Sequence, residues 1–392
     1  MSAVLQTKDQ SRDRWEKYRA AAGGLAEYWY PVMTASELRR RKRKTMEVLG
    51  RKLVLLHEAG RFHALLDECP HRLVPLSFGK IEFPGHLTCF YHGWTFNLAS
   101  GRMVAALTDG PDSPVNGKAG VRVFPVEERI GLVFVWMGEG KPVAVEDDIP
   151  AELLNADARI FPFIRHVGGN WRHACENGFD ESHVKMVHRY SLWVTFRNVS
   201  AWNDTSIDRS DDGIWLERVQ KDVHLFDDYP GLGSWPKKRF WKPSPQTGVT
   251  TGGKDHAVGI RLPCTLRVRQ PGKADWTHYE WYVPMNANRY IYLVLAVSWR
   301  TRLWKRFTWW MRYWSYILWV HHYAFHSDDL RVVEVTPEST PVRSFRPDIS
   351  IIEWRRHVEE NARTPARDPV RESARGPGRE PARVATAAAQ SG

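Results

Sequence analysis

From Tyr28-Trp-Tyr-Pro31 to about Pro142 the apolar positions fall in short runs between turn residues. Met46-Glu-Val-Leu-Gly50 and Lys52-Leu-Val-Leu-Leu-His57 flank one glycine, and Arg122-Val-Phe-Pro-Val126 and Gly131-Leu-Val-Phe-Val-Trp-Met-Gly138 continue the series. Such runs, rich in β-branched and aromatic residues, predict an all-β region. From Asp147 the pattern changes. Trp171 to His188 reads as a helix, residues 199–300 alternate, and residues 301–326 and 350–361 read as helices again. Within the alternating part the strand candidates are Gly259–Leu262, Thr277–Val283 and Tyr290–Ser298. The pattern predicts an α+β chain with a polar helical lead-in over 1–25, an all-β domain over 26–145 and a mixed domain over 146–361. Arginines at 363, 367, 371, 375, 379 and 383, interrupted by Pro365, Pro369, Pro377 and Pro381, predict a disordered tail over 362–392.

Composition narrows the class. The chain has 392 residues, 43% of them hydrophobic, with 19 Trp, so it can bury a large core and is not a disordered polymer. Four cysteines make no disulfide framework, which fits a reducing compartment. The start lacks the apolar stretch of a secretory signal, and no long uncharged apolar run predicts a spanning helix. We therefore expect a cytoplasmic protein. Of the net charge of +11, +3 falls after Ala362. The remaining excess suits an acidic protein partner or an anionic substrate and is not by itself a nucleic-acid signal; we expect no nucleic acid.

Two Cys–His pairs stand close together: Cys69-x-His71 and Cys89-x-x-His92. Four such ligands could hold Zn²⁺, but Cys-x-His is unusual for a zinc finger. Two thiolates on one iron and two imidazoles on the other is the Rieske [2Fe-2S] arrangement, and each tight pair then offers one ligand to each iron. Pro70, Pro75, Gly79, Pro84, Gly85 and Gly93 are residues expected at the tips of loops. A second constellation runs Asn177-Gly-Phe-Asp180-Glu-Ser-His183-Val-Lys-Met-Val-His188. Two imidazoles and a carboxylate leave open positions on a mononuclear iron. Residues five apart on an ideal helix lie about 140° round the axis, so a widened turn or a helix end must separate His183 from His188. The remaining carboxylate belongs far along the chain, where Asp328, Asp329 and Glu334 are on offer. His321, His322 and His326 resemble ligands but read as surface or pocket-wall residues.

These residues, with Trp29-Tyr-Pro31, Phe124-Pro-Val-Glu127 and Gly131-Leu-Val-Phe-Val-Trp136, resemble the oxygenase component (α subunit) of Rieske non-haem iron aromatic-ring-hydroxylating oxygenases over about residues 26–360. Tyr28-Trp-Tyr-Pro-Val-Met33, Leu107-Thr-Asp-Gly110, Glu176-Asn-Gly-Phe-Asp180 and Glu280-Trp-Tyr-Val-Pro284 are similar to the carbazole dioxygenase and oxoquinoline monooxygenase branch. The resemblance implies an all-β Rieske domain followed by a catalytic domain whose antiparallel sheet is flanked by helices, helix-grip-like, with the lead-in packed on it. It implies a homotrimer without a β subunit. It implies that Cys69, His71, Cys89 and His92 hold one [2Fe-2S] cluster and that His183, His188 and Asp329 hold one Fe(II). Asp180 then bridges the cluster of one subunit and the iron of the next, and Asn177 stands with it in the catalytic set.

Electrons must come from outside, because no Gly-x-Gly-x-x-Gly is present for a nicotinamide or flavin. An NAD(P)H-dependent reductase, with or without a ferredoxin, is expected. Arg39-Arg-Arg-Lys-Arg-Lys44 could form part of its dock or be a solvated loop. The basic, aromatic segment Trp299–Trp319 could lie on an anionic membrane, or face the core with its arginines outward; we expect the second and no membrane contact. The expected reaction is hydroxylation, dihydroxylation first, of a planar aromatic that bears nitrogen or a carboxylate, such as carbazole or anthranilate. Arg261, Arg267 and Arg269 could pair with such a carboxylate, although strand arginines usually face solvent. The alternatives are a Rieske monooxygenase or demethylase, a membrane-associated sterol-type oxygenase, and a plain electron-transfer Rieske protein with no use for residues 150–360.

Overall fold

The computed structural model describes residues 15–180, 182–188, 191–192, 202–224, 258–269, 276–337 and 345–363. Residues 1–14 of the expected lead-in and the expected tail beyond Arg363 lie outside the described residues.

The first region holds strands β1 (Trp29–Thr34), β2 (Arg43–Val48), β3 (Arg51–Glu58), β4 (Arg61–Leu66), β5 (Lys80–Phe83), β6 (His86–Thr88), β7 (Trp94–Asn97), β8 (Met103–Ala106), β9 (Val123–Phe124), β10 (Val126–Arg129) and β11 (Leu132–Trp136). They form three small sheets, ordered β1-β11-β10, β2-β3-β4-β9 and β5-β6-β7-β8. Three hairpins turn through two residues of positive φ: Leu49-Gly50 (49° and 73°), Ala59-Gly60 (48° and 77°) and Ile130-Gly131 (50° and 78°). Positive φ at both positions gives the turn whose twist matches paired strands, and glycine takes one of the two angles without steric cost.

The second region is built on one antiparallel sheet of seven strands: β12 (Arg159–Gly168), β13 (Trp202–Arg209), β14 (Leu216–His224), β15 (Val258–Arg261), β16 (Thr265–Arg269), β17 (Trp276–Asn286) and β18 (Arg289–Ser298), in the order β12-β18-β17-β16-β15-β14-β13. Its central strands β17 and β18 are buried along almost their whole length. Helices α1 (Glu16–Ala20) and α2 (Ala35–Arg41) precede it in the chain; α3 (Trp171–Phe179), α4 (Val184–Val187), α5 (Leu303–Arg312), α6 (His326–Val335) and α7 (Ile349–Asn361) belong to it. The tip of the β2–β3 hairpin joins the two regions. Leu49 N–H donates to the Pro284 carbonyl (3.0 Å) and Gly50 N–H to the Met285 carbonyl (2.6 Å), while Asn286 reaches Glu47 (2.8 Å). One hydrophobic cluster accordingly runs through both, from Tyr30 and Leu55 to Tyr282 and Leu293. On α1, Tyr18 donates its hydroxyl proton to Glu176 of α3 (2.7 Å).

Four expectations need correction. The helix predicted over Trp171–His188 breaks after Phe179. Asp180 is extended, and its carboxylate accepts the N–H groups of Ser182 (2.8 Å) and His183 (3.1 Å), the pattern of a helix cap, so a new short turn starts there. The helix predicted over 301–326 runs on to Val335, and between α5 and α6 the stretch Tyr313–Phe325 is wound as a π-helix. In the Trp-rich segment Trp309, Tyr313 and Ile317 are buried against Trp276 and Ala296, with Leu318 partly buried beside them. Trp304, Phe307, Trp310, Trp314 and Trp319 are exposed, because aromatics occur all round this helix and one stripe alone can face the sheet. No helix is long and apolar enough to cross a membrane among the described residues. Finally, Arg261 and Arg267 are buried rather than outward. Burial is tolerated because each has partners: Arg261 donates to the Asp147 carbonyl (2.5 Å), and Arg267 pairs with Glu152 (2.8 Å) and Glu217 over the Trp215 ring.

Candidate metal centres

The two Cys–His loops have one construction. Cys69 N–H donates to the Val74 carbonyl (2.9 Å) and Leu73 N–H returns to the Cys69 carbonyl (2.8 Å). Cys89 N–H donates to the Trp94 carbonyl (2.8 Å) and Gly93 N–H returns to the Cys89 carbonyl (3.1 Å). Leu73 and Gly93 close these loops at positive φ, 57° and 64°. Each cysteine therefore sits at the base of its loop, buried, while the histidine rises towards the tip. The His71 and His92 rings lie 4.7 Å apart, and His71 stacks on Trp94 at 4.8 Å. Burial and the neighbouring Cys89 push the Cys69 thiol up to about 11, so a thiolate here needs a cation to stabilise it. Two buried sulfurs behind two rim imidazoles fit a cluster with one sulfur-held and one nitrogen-held iron.

The second centre lies where α4 meets α6. His183 and His188 flank the single turn of α4, with rings 5.5 Å apart. Both converge on one carboxylate: Asp329 Oδ1 lies 2.9 Å from His188 Nε2 and 3.2 Å from His183 Nε2. The same oxygen accepts a hydrogen bond from the Asn177 side chain at the end of α3 (3.0 Å). Burial alone would raise the Asp329 carboxyl, but the two imidazoles outweigh it and hold the group well below the usual range. Burial opposes charge on His183 too, yet Asp180 and Asp329 bring it to about 9. The site is built for positive charge at the point where these donors meet, and two imidazoles with one carboxylate suit Fe(II) with open positions.

Behind these groups stand two further carboxylates. Asp180 Oδ2 lies 3.6 Å from His183 Nδ1. Asp328 Oδ2 lies 3.3 Å from His188 Nδ1, and Phe325 stacks on that ring at 3.7 Å. Asp328 and Asp329 thus address opposite nitrogens of one imidazole, a role for Asp328 that adjacency in sequence did not suggest. Glu334 lies elsewhere, beside Gly168. Gly178 permits the close packing of α3, since a Cβ there would fall 2.3 Å from the Tyr282 hydroxyl. His321, His322 and His326, expected at a surface or pocket wall, are fully buried, with exposures of 1%, 0% and 1%. Glu280, contributed by a distant strand, lies 3.5 Å from His326 Nε2.

A sheet-and-helix domain with this triad, preceded by the paired Cys–His loops, defines a terminal oxygenase. Residues 28–125 match the Rieske [2Fe-2S] domain and residues 136–201 the family described as homotrimeric ring hydroxylase. The chain belongs to the Rieske non-haem iron ring-hydroxylating oxygenases, whose cofactors are a [2Fe-2S] cluster and a mononuclear iron. It is 30% identical over 359 residues to the terminal oxygenase component of carbazole 1,9a-dioxygenase from Sphingomonas sp, covering 87% of this chain and 93% of that protein. A putative toluene-4-sulfonate monooxygenase iron–sulfur subunit of Comamonas testosteroni is 37% identical over 279 residues, covering 65% and 76%. The solved terminal oxygenase of carbazole 1,9a-dioxygenase from Nocardioides aromaticivorans IC177 superposes with a TM-score of 0.77 at 26% identity, over 90% of this chain and 99% of that one. An oxygenase–ferredoxin complex of carbazole 1,9a-dioxygenase also gives 0.77, at 25% identity, over 90% and 94%.

Proposed function

We propose that this chain is a cytoplasmic homotrimeric oxygenase that dihydroxylates a neutral, nitrogen-bearing planar aromatic, with electrons passed from an NAD(P)H-dependent reductase through a ferredoxin. The convergence of His183, His188 and Asp329, in a chain that also carries the paired Cys–His loops, carries the reading. Cys69 and Cys89 hold one iron of the cluster, and His71 and His92 the other. His183, His188 and Asp329 hold the mononuclear iron. When bound, these groups supply single electrons and O₂ activation. Asn177 orients Asp329, Asp328 orients His188, and Asp180 holds the loop of His183. Exposed Leu73, Phe78, Phe90 and Tyr91 surround the rim imidazoles and suit a surface that meets another protein, the next subunit or the ferredoxin.

The arginines bear on the substrate. Arg261 and Arg267, the buried strand guanidiniums once open to a carboxylated ring, are committed to partners within the chain. That favours a carbazole-like ring over an anthranilate-like one. Arg39 and Arg41 pair with Glu128 and Glu37, which leaves the exposed Arg40 and Lys42 as the less committed cations of this run for a ferredoxin. The test is a purified enzyme with about three iron atoms per chain, supplied with a surrogate ferredoxin and reductase and offered carbazole, anthranilate and their analogues under ¹⁸O₂. Two labelled oxygens in a carbazole-type product are expected. One labelled oxygen would make the enzyme a monooxygenase. Preference for the anthranilate would refute the argument from the arginines.

A further inference from the structure

Two histidines on the long helix lie five positions apart, His321 and His326. On an α-helix they would point away from each other. The π-winding of Tyr313–Phe325 changes that: the His326 N–H donates to the His321 carbonyl, one π-turn back, and the two rings come to 4.4 Å on one face. A π-turn is rare, and where one occurs it often serves a functional site. Opposite this face stands β17, whose alternation turns His278 and Glu280 to the same side. The His278 ring lies 4.7 Å from that of His321. Glu280 Oε1 lies 3.1 Å from His278 Nε2 and 3.5 Å from His326 Nε2. His278, Glu280, His321 and His326 are all buried, at 4%, 6%, 1% and 1% exposure.

The far atoms of three of these side chains are occupied. Tyr292 Oη pairs with His326 Nδ1 (2.9 Å), the Tyr282 hydroxyl donates to the outer oxygen of Glu280, and His322 Nδ1 lies 3.3 Å from His321 Nδ1. Outer hydrogen bonds of this kind fix ring orientation and ligand basicity at metal sites. The His326 Nε2 atom, buried and facing Glu280, has no hydrogen-bond partner. Burial pushes His326 down to about 4 and also lowers His322, so these imidazoles are neutral, the form that ligates metals. Burial opposes charge on Glu280, yet His326, His278 and the Tyr282 hydroxyl hold its carboxyl below the usual range, so an ionised oxygen faces these rings.

We propose that His278, Glu280, His321 and His326 bind one divalent first-row transition-metal ion of the zinc class, a site separate from the cluster and from the His183–His188–Asp329 centre. Three nitrogens and one oxygen are a set such an ion takes in tetrahedral geometry. The three imidazoles offer nitrogens that all lie within 4.8 Å of one another. Tetrahedral binding would draw them to about 3.3 Å, a small closure for flexible side chains. The bound ion clamps β17 to the helix that delivers Asp329.

The test uses full-length His183→Ala/Asp329→Ala protein, in which the mononuclear centre is disabled and the red cluster reports folding. Weakly held metals are removed by dialysis against a chelator, and Co²⁺ alone is then titrated. One equivalent per chain is expected, with the intense visible absorption of four-coordinate Co²⁺, displaced by Zn²⁺. Adding His278→Gln, or Glu280→Gln as the variant that keeps the shape of the side chain, should weaken binding at least tenfold. The proposal is overturned if protein with a native cluster spectrum takes up no Co²⁺. It is equally overturned if uptake is undiminished in whichever of the two added variants retains that spectrum.

Discussion

Replacing Asn177 with alanine removes one of three nitrogens around Asp329 Oδ1, the donor at 3.0 Å, and leaves both imidazoles in place. A hydrogen bond to an ionised acceptor contributes ~1.5–3 kcal/mol, which corresponds to about tenfold to a hundredfold in an equilibrium constant. That range agrees with the usual cost of losing an outer partner of a metal ligand, about 10–100-fold in affinity. Alanine has the higher helix propensity by a few tenths of a kcal/mol, so α3 should not loosen and mask the effect. The prediction is that Asn177→Ala binds Fe(II) about ten to a hundred times more weakly at the mononuclear site, while the cluster spectrum is unchanged. Anaerobic competition with a ferrous chelator gives the Kd directly, with cluster absorbance as the internal control. Asp328→Asn provides the comparison. Asp328 is 42% exposed and acts on the far nitrogen of His188 at 3.3 Å, so its loss should cost less than about tenfold. An Fe(II) affinity unchanged within twofold in Asn177→Ala, or a larger effect from Asp328→Asn, would refute the reasoning.

Asp180→Asn should keep iron and a reducible cluster; if electrons cross between subunits beside this side chain, as the family resemblance implies, product formation should be lost, and normal turnover would exclude that route. Mixed trimers of His71→Ala and His183→Ala chains should regain activity if an intact cluster can serve a neighbour's intact iron, and no recovery despite proven subunit exchange would mean that electrons stay within one chain. Gly178→Ala places a Cβ 2.3 Å from the Tyr282 hydroxyl and should destabilise the fold by ~1–3 kcal/mol, read as a lower Tm; an unchanged Tm would show that Tyr282 moves freely. Arg267→Ala leaves Glu152 and Glu217 without their shared cation and should cost on the order of 3 kcal/mol in denaturant unfolding, whereas a stable variant with a raised KM would return the arginine to substrate binding.

The cluster loops were legible because their chemistry is local: four ligands within one stretch, with the glycine and prolines that let the chain turn back on itself. The strands around Gly50 and Gly131 were legible for the same reason. Asp329 was harder. Nothing in adjacent residues says which carboxylate faces inward, and only the resemblance singled it out; three-dimensional placement then put it 2.9 Å from His188 Nε2 and Asp328 behind Nδ1. The break at Asp180 did leave a signal, since an aspartate followed at the second and third positions by free backbone donors is a cap. Helical spacing of Val184 and Val187 obscured it. The buried histidines were misjudged because their compensation is remote. Glu280 belongs to another element, and neither that pairing nor the π-winding that turns His321 and His326 together is written in the local pattern.

The hairpin tip at Leu49-Gly50 has a bearing on how this enzyme can be rebuilt. Its two N–H groups are satisfied by the carbonyls of Pro284 and Met285, on the strand that also carries His278 and Glu280. The two halves of the chain are therefore not interchangeable parts. A chimera that takes its first 145 residues from one relative and the remainder from another inherits a seam rather than a linker. It should work only when the turn and the end of that strand are exchanged as a matched pair.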